Sequence, residues 1–279
     1  MNLIVHGASG HMGRLLCDLA EQQGHTMIAK VAADFPEAPI PSVPQSSAAS
    51  LPQPAAAAAT AAPTPAAVVC RKFAAIPAAK LAAADCVIDF SNHSATGELL
   101  SFCVAQKLPL VLATTGQTDD EKVAISNAAQ EIPLFFSANM SVGIAVLADL
   151  AQRAAAAFPA ADIEIVETHH NRKLDVPSGT ALLLAKKIQN VRNNSVLLVG
   201  RHENGKRTPQ EIGIHSLRLG NEVGTHEILI STGNETLTLT HKAESRALFA
   251  DGALRAALWL CGKPAGLYNM QDLMEGNTI

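Results

Sequence analysis

The stretch Asn2-Leu-Ile-Val-His-Gly-Ala-Ser-Gly-His-Met-Gly-Arg14 combines a strand, a glycine turn and the start of a helix. Asn2–His6 is short and mostly apolar, and Arg14–Ala20 has a helical composition. Glycines permit a tight turn and let backbone N–H groups approach a pyrophosphate at a helix N-terminus. A tight turn that binds nothing is the alternative interpretation. We predict a dinucleotide-binding turn formed by Gly7, Ala8, Ser9, Gly10, His11, Met12 and Gly13.

The second predicted strand, Met27–Ala33, ends at Asp34, about 20 residues after the last glycine. An acidic residue at this point accepts hydrogen bonds from an adenosine ribose, although Asp is also a common turn former. Phe35 follows, where an Arg would favour a 2′-phosphate. We therefore predict that Asp34 binds the cofactor and that NADH is used at least as well as NADPH.

Predicted strands and helices alternate from residue 86 onward. The strands are Cys86–Asp89, Leu108–Ala113 and Pro133–Phe136, with helices near residues 95–106 and 119–129. This alternation indicates the α/β class, with a doubly wound, mostly parallel Rossmann-type sheet whose ligands bind beyond the carboxyl ends of the strands. The polar turns at those ends are either ordinary loop ends or contacts to the nicotinamide half of the cofactor: Phe90, Ser91, Ala113, Thr114, Thr115, Gly116, Ser137, Ala138, Asn139 and Met140.

A second stretch, Glu167-Thr-His-His-Asn-Arg-Lys-Leu-Asp-Val-Pro-Ser-Gly-Thr180, concentrates titratable side chains between a predicted strand and a predicted helix. Pro177 ends the preceding element, and the hydroxyl of Ser178 or Thr180 can cap the helix. Gly179 exposes the backbone there, so free N–H groups and the helix dipole favour an anionic oxygen. Lys173 adds a full positive charge nearby.

His169 and His170 are adjacent at the end of a predicted strand, so their side chains point to opposite faces. We predict that one is functional and the other structural. A polar surface loop without a function remains an alternative on these residues alone. A zinc site is disfavoured, because the stretch has no His at i+4, no nearby Cys and no H-E-x-x-H pattern.

The remaining regions differ from the alternating part. Residues 36–67 are almost entirely Ala, Pro, Ser and Gln, which predicts an extended linker or disordered surface insertion. Gly213–Arg218, His226–Ser231 and Glu235–His241 alternate in polarity and indicate an α+β domain with an open mixed or antiparallel sheet that needs a partner on its open face. The last predicted helix, Ala247–Leu260, is apolar enough to pack on the first domain.

Length and composition narrow the classes of function. The chain has 279 residues, which suggests two domains, and its net charge of -4 and pI of about 6.2 provide no basic footprint for nucleic acid or a membrane surface. The N-terminus lacks a secretory signal, and no apolar stretch is long enough to span a bilayer. Five scattered cysteines fit reduced thiols. We expect a cytoplasmic protein whose partners are small molecules.

The sequence resembles the 4-hydroxy-tetrahydrodipicolinate reductase (dihydrodipicolinate reductase) family over nearly its whole length. The most specific motif of the family, E-x-H-H-x-x-K-x-D-x-P-S-G-T, is present as Glu167–Thr180. The Ala/Pro tract departs from the family, whose corresponding connection is less biased in composition. Supporting matches are Gly7–Gly13, Ile88–Ser91, Thr114–Gly116, Ala138–Gly143, Ile214–Arg218, Gly224–His226 and Ser245–Trp259.

The resemblance implies a dinucleotide-binding domain at residues 1–139, a substrate-binding and oligomerisation domain at 140–246, and a C-terminal helix and tail at 247–279 that return to the first domain. It implies a homotetramer built through the open sheets. It also implies that His169 and Lys173 are the catalytic acid/base and proton donor. Substrate carboxylates would be bound by His170, Lys173, Ser178, Gly179 and Thr180.

We therefore expect NADH or NADPH to reduce a cyclic, unsaturated dicarboxylate containing a ring nitrogen, forming tetrahydrodipicolinate in lysine and diaminopimelate biosynthesis. Hydride addition leaves negative charge on the substrate, so a positioned proton donor is needed. One alternative is an amino-acid dehydrogenase of the same two-domain plan. Another is a nonenzymatic NAD(H)-binding sensor, which the pair of His169 and Lys173 argues against because sensing needs neither.

Overall fold

The computed structural model describes residues 1–35 and 66–276, which form two compact units. The first unit comprises Met1–Ala138 and Ala253–Asn269, and the second comprises Asn139–Gly252 and Met270–Ile279. The chain therefore leaves the first unit after Ala138 and returns to it near the C-terminus. The tract predicted to be a linker or disordered insertion lies outside the described residues, except for its last two positions.

The first unit contains a seven-stranded sheet in which every neighbouring pair of strands is parallel. Its strands are β1 (Asn2–His6), β2 (Thr26–Val31), β3 (Val68–Cys70), β4 (Cys86–Asp89), β5 (Leu110–Leu112), β6 (Pro133–Phe136) and β12 (Gly266–Tyr268). Its helices are α1 (His11–Gln22), α2 (Ala78–Leu81), α3 (Thr96–Gln106) and α4 (Asp119–Ala128). The predicted doubly wound Rossmann-type sheet is confirmed.

The order of the strands, β12-β6-β5-β4-β1-β2-β3, reverses direction between β1 and β4. Such a reversal leaves a crevice beyond the carboxyl ends of the two central strands, where ligands bind in sheets of this class. Residues 3–5 and 86–88 are fully buried, as expected for central strands of a parallel sheet. The switch point therefore brings Gly7 and Phe90 to the same crevice.

The C-terminal segment completes the first sheet. Helix α7 (Ala247–Leu260) begins in the second unit and ends in the first. The ring of Trp259 makes edge contacts with the rings of Phe135 and Tyr268, at centroid distances of 6.2 and 5.3 Å. Strand β12 then pairs in parallel with β6. The aromatic contacts and the strand pairing attach Trp259 and strand β12 to the β6 edge of the sheet.

The second unit contains a five-stranded mixed sheet in the order β11-β10-β7-β9-β8. Strand β10 is antiparallel to β7 and β11, whereas β7, β9 and β8 are parallel, which confirms the predicted mixed sheet. The strands are β7 (Asp162–His169), β8 (Val196–Val199), β9 (Glu211–Arg218), β10 (Thr225–Ser231) and β11 (Thr236–Lys242). The helices are α5 (Val142–Ala157), α6 (Gly179–Gln189) and α8 (Met270–Glu275).

The two faces of this sheet differ in burial. Ile163 and Ile165 of β7 are fully buried in a core shared with α5 and α6, and β10 contributes two buried isoleucines to the same core. Alternate residues point to the other face, where Val166 is half-buried and Leu217 is 49% exposed. The sheet therefore has one face covered by helices and one accessible face.

Three short strands were not predicted. Strands β3, β8 and β12 have three or four residues, too few to show a polarity period. Strand β2 ends at Val31 rather than Ala33, because a turn closes with a hydrogen bond from Phe35 N–H to the Ala32 carbonyl. Within the described part of the chain, no helix is long and apolar enough to cross a membrane.

Candidate active site

The glycine turn between β1 and α1 has no space for side chains at two positions. Gly7 has φ of 77°, and a Cβ placed there would lie 2.4 Å from the carbonyl oxygen of Phe90. A Cβ on Gly13 would lie 2.1 Å from the carbonyl oxygen of Gly7. Gly10 precedes α1 and contributes no side-chain cap to its N–H groups. This cradle of bare backbone at a helix N-terminus fits the pyrophosphate of a dinucleotide.

Asp34 lies in an exposed turn at the same end of the sheet as the glycine turn. The carbonyl of Val31, the last residue of β2, accepts hydrogen bonds from the N–H groups of Gly7 and Ala8 at 2.8 and 3.2 Å. Arg71 Nε donates to the carbonyl of Ala33 at 2.7 Å. A cation from the segment after β3 therefore lies beside Asp34, although the residue that follows Asp34 is not basic.

Two of the polar turns predicted to contact the cofactor are joined in the first unit. The backbone N–H of Ser91 donates to the Thr114 hydroxyl at 2.9 Å. The N–H of Ala113 donates to the carbonyl of Asp89 at 3.0 Å, and Thr115 is exposed beyond it. The turns after β4 and β5 are therefore held together at the crevice.

The third predicted turn, Ser137–Met140, is divided between the two units. Ser137 and Ala138 belong to the first unit, whereas Asn139 and Met140 belong to the second. Within the second unit, Asn139 Nδ2 donates to the hydroxyl of Thr180 at 3.0 Å, and Met140 is buried. Asn139 therefore contacts a residue that was predicted to bind substrate.

Glu167 is the buried centre of the site in the second unit. Its carboxylate accepts hydrogen bonds from His169 Nδ1 at 2.5 Å, from two Arg218 nitrogens at 2.7 and 2.8 Å, and from the Ser178 N–H at 3.1 Å. Burial alone would raise the pKa of Glu167, but these hydrogen bonds, led by those of Arg218, lower it to about 2. An ionised carboxylate can only accept, so Nδ1 of His169 carries the hydrogen.

His169 and Glu167 meet because residues two apart on a strand point to the same face. His169 is 9% exposed, and its Nε2 would lie 3.0 Å from a Cβ placed on Gly224. The absence of a side chain at position 224 therefore leaves space next to this nitrogen. His170 follows the strand and has different surroundings, with Arg246 Nη2 at 3.4 Å from its Nε2.

Lys173 lies in the loop between β7 and α6. Its ammonium is 2.7 Å from the carboxylate of Asp175, and its side chain is 20% exposed. The hydrogen bond from Lys173 lowers the pKa of Asp175. Arg218 Nη2 donates to the Asp175 carbonyl at 2.8 Å, so the same arginine holds both Glu167 and this loop.

Ser178, rather than Thr180, caps helix α6. Its hydroxyl oxygen accepts from the N–H of Ala181 at 3.1 Å. A Cβ placed on Gly179 would have no heavy atom within 4 Å, so the backbone faces open space there. The start of α6 therefore presents an accessible backbone whose dipole favours an anion.

Glu167, Arg218 and His226 belong to this cluster and were not among the predicted site residues. His226 is 4% exposed, its Nε2 lies 3.1 Å from the Ser178 hydroxyl, and its ring centroid is 5.2 Å from that of His169. Burial, reinforced by the neighbouring His169, lowers the pKa of His226 to about 4. Strand alternation could have identified Glu167, and the other two lie in stretches that match the family.

A glycine turn on a doubly wound sheet and a buried Glu–His pair fit an NAD(P)H-dependent oxidoreductase, in which the first binds the dinucleotide and the second can transfer a proton. In the described part of the chain, no group of three or more His, Cys, Asp or Glu residues could hold a metal ion. The chain belongs to the dihydrodipicolinate reductase family. The model of the family's N-terminus matches residues 1–140, and the model of its C-terminus matches residues 143–274.

Similar proteins carry the same family name. The 4-hydroxy-tetrahydrodipicolinate reductase of Caldanaerobacter subterraneus subsp. tengcongensis is 46% identical over 69% of this chain and 77% of the relative. That of Clostridium tetani is 46% identical over 68% of this chain and 76% of the relative. The dipicolinate-bound dihydrodipicolinate reductase from Paenisporosarcina sp. TG-14 is 22% identical and shares the fold, with a TM-score of 0.73 over 96% of this chain and 97% of that one.

Proposed function

We propose that this chain reduces 4-hydroxy-tetrahydrodipicolinate to tetrahydrodipicolinate with NADH or NADPH, in lysine and diaminopimelate biosynthesis. The observation that carries the proposal is the buried Glu167–His169 pair beside the accessible start of α6. The substrate is a small cyclic dicarboxylate, which requires anion-binding groups and a proton donor in one place. The start of α6 supplies the anion-binding groups, and His169 and Lys173 supply the proton donor.

When bound, the cofactor supplies the hydride. We propose that the glycine turn binds its pyrophosphate and Asp34 its ribose. The remaining contacts are assigned to the turns that end β5 and β6. The full set of proposed cofactor-binding residues is Gly7, Ala8, Ser9, Gly10, His11, Met12, Gly13, Asp34, Ala113, Thr114, Thr115, Ser137, Ala138, Asn139 and Met140.

In the substrate site, Glu167 holds the Nδ1–H of His169, so that Nε2 is the nitrogen that exchanges a proton with substrate. The ammonium of Lys173 is a second donor, and its charge attracts the dicarboxylate. Backbone N–H groups at Gly179 and Thr180 bind one carboxylate with help from the Ser178 hydroxyl. His170 provides a further contact to a substrate carboxylate. Reduction leaves an anion on the substrate, and a proton from His169 or Lys173 neutralises it.

We propose that residues 1–139 bind the dinucleotide and that 140–246 bind substrate and assemble. Of the C-terminal helix and tail, 247–279, which were expected to return to the first domain, Ala253–Asn269 do so, whereas Met270–Ile279 belong to the second unit. The change of unit after Ala138 and the pairing of β12 with β6 support this division.

We further propose a homotetramer built through the accessible face of the second sheet. Light scattering tests it: Leu217→Glu, on that face, should yield smaller species, and an unchanged mass would count against the interface.

A cytoplasmic location is part of the same proposal. All five cysteines are free thiols, and four of them are buried. Free thiols persist in reducing compartments such as the cytoplasm. Fractionation of cells that produce the full protein is the test, and recovery outside the cytoplasmic fraction would contradict the proposal.

The reductase proposal is tested by mixing the protein with NADH or NADPH and the product of the preceding synthase. We expect a loss of cofactor absorbance that depends on that product. An amino-acid dehydrogenase would instead reduce NAD(P)+ when given an amino acid. A sensor would bind NADH without turnover. No substrate-dependent loss with either cofactor would overturn the reductase proposal.

A further inference from the structure

Asp89 is a buried carboxylate at the end of β4 that has no part in the roles proposed above. It is 1% exposed, its Oδ1 accepts from His6 Nδ1 at 2.8 Å, and its Oδ2 accepts from the Thr114 hydroxyl at 2.5 Å. The Thr114 oxygen in turn accepts from the N–H of Ser91 at 2.9 Å. One side chain therefore links the ends of β1, β4 and β5.

Each linked group adjoins the crevice at the switch point. His6 directly precedes Gly7, and the N–H of Phe90 donates to the His6 carbonyl at 3.0 Å. The Phe90 carbonyl oxygen lies where a Cβ on Gly7 would collide with it. Burying a carboxylate is costly unless both oxygens are hydrogen-bonded, as they are here. Removing it would leave the buried Thr114 hydroxyl and the partly buried His6 ring without an acceptor, where the spacing of the two turns must be kept.

We propose that Asp89 is a positioning residue for the cofactor: its carboxylate holds the glycine turn and the Thr114 turn at a fixed separation. The inference rests on the dinucleotide-binding role proposed for those turns. Its two oxygens accept from the Nδ1–H of His6 and the hydroxyl of Thr114, which fixes the orientation of both side chains. The Thr114 lone pairs then remain available to Ser91 N–H.

Two substitutions separate hydrogen bonding from simple filling of space. Asp89→Ala removes both acceptors. Asp89→Asn keeps an oxygen for Thr114, and its amide can donate to His6 once the imidazole adopts the other tautomer. Asp85 provides the matched control, because its carboxylate also bonds to β1, accepting from the Asn2 N–H at 2.7 Å, but at the opposite end of the strands.

NADH dissociation constants from fluorescence titration, with urea unfolding of each variant, test the proposal. Asp89→Ala should weaken NADH binding at least about tenfold. Asp89→Asn should restore binding to near the wild-type value, Asp85→Ala should leave it unchanged, and the KM for the dicarboxylate should not move. A folded Asp89→Ala protein that binds NADH like wild type would overturn the proposal, as would an Asn variant that is folded but binds as weakly as Ala.

If Asp89→Ala does not fold, His6→Leu provides the deciding measurement. It removes the other group that Asp89 holds, and His6 is assigned no contact with the cofactor, so it should weaken NADH binding, and unchanged binding would overturn the proposal. Failure of the reductase assignment can be distinguished from failure of the Asp89 proposal. A wild-type protein that binds NADH without reducing the substrate leaves Asp89 to be judged on the dissociation constants. A wild-type protein that binds neither NADH nor NADPH would overturn both.

Discussion

We expect His226 to make the stability of the folded protein sensitive to acid. Burial lowers its pKa to about 4, against about 6.5 in an unfolded chain. Between these values the unfolded state binds more protons, so stability that is complete above pH 6.5 is lost as the pH falls towards 4. We predict that His226→Gln removes this component, which is at most about 3 kcal/mol. Urea unfolding across this pH range measures it, with exposed His202→Gln as control. An unchanged pH dependence in His226→Gln would contradict the prediction.

Asp34 should determine the choice of cofactor. Its carboxylate can bind a ribose hydroxyl and repels a 2′-phosphate, so we predict kcat/KM for NADH at least equal to that for NADPH. Asp34→Ala should shift the ratio towards NADPH. Arg71, which donates a hydrogen bond to the Ala33 carbonyl, carries a positive charge that would instead attract a 2′-phosphate. A strong NADPH preference in the wild-type protein would contradict the prediction, and loss of that preference in Arg71→Met would identify the cause.

At the scale of elements, the turn between β1 and α1 has the least tolerance for change. Gly13→Ala places a Cβ 2.1 Å from the Gly7 carbonyl oxygen, so the backbone must move. We predict that NADH affinity falls at least about tenfold and that stability falls by roughly 1–3 kcal/mol. Titration and thermal unfolding measure the two effects.

Gly97 in α3 is the matched control for Gly13. A Cβ there meets no heavy atom within 4 Å, and Ala favours a helix over Gly by about 1 kcal/mol. Gly97→Ala should therefore leave NADH binding unchanged and raise the melting temperature. Equal binding by the Gly13 and Gly97 variants would show that close packing of the turn is not needed for the cofactor.

Elements with a repeated pattern could be predicted from the sequence. Strand β1, strand β4 and helix α7 begin and end where they were expected, because their apolar runs are long or bounded by turn residues. Strands β3, β8 and β12 have no such signal. Strand β12 exists because β6 offers an edge beside it and Trp259 packs against Phe135 and Tyr268. These contacts link distant parts of the chain, which local patterns do not register.

At the scale of the whole molecule, local sequence patterns also fail to predict which distant residues meet in the candidate site. Lys173, Ser178 and His169 lie in one continuous stretch of sequence, so the motif by itself predicts that they are neighbours. Arg218 is 51 residues from the Glu167 that it holds, and His226 is 48 residues from Ser178. Their pairing follows from β9 and β10 flanking β7, which depends on the order of strands in the sheet.

We propose that reduction depends on His169 and Lys173 acting on the substrate, separately from the groups that bind the cofactor. The most direct test is steady-state kinetics of His169→Gln, Lys173→Ala and the double variant, with NADH affinity measured on each. Each single variant should lose activity on the order of 10²–10⁴-fold. The double variant should be scarcely worse than the poorer single, because residues acting as one unit are non-additive, and NADH binding should stay near the wild-type value. A double variant with near-native kcat would contradict the account.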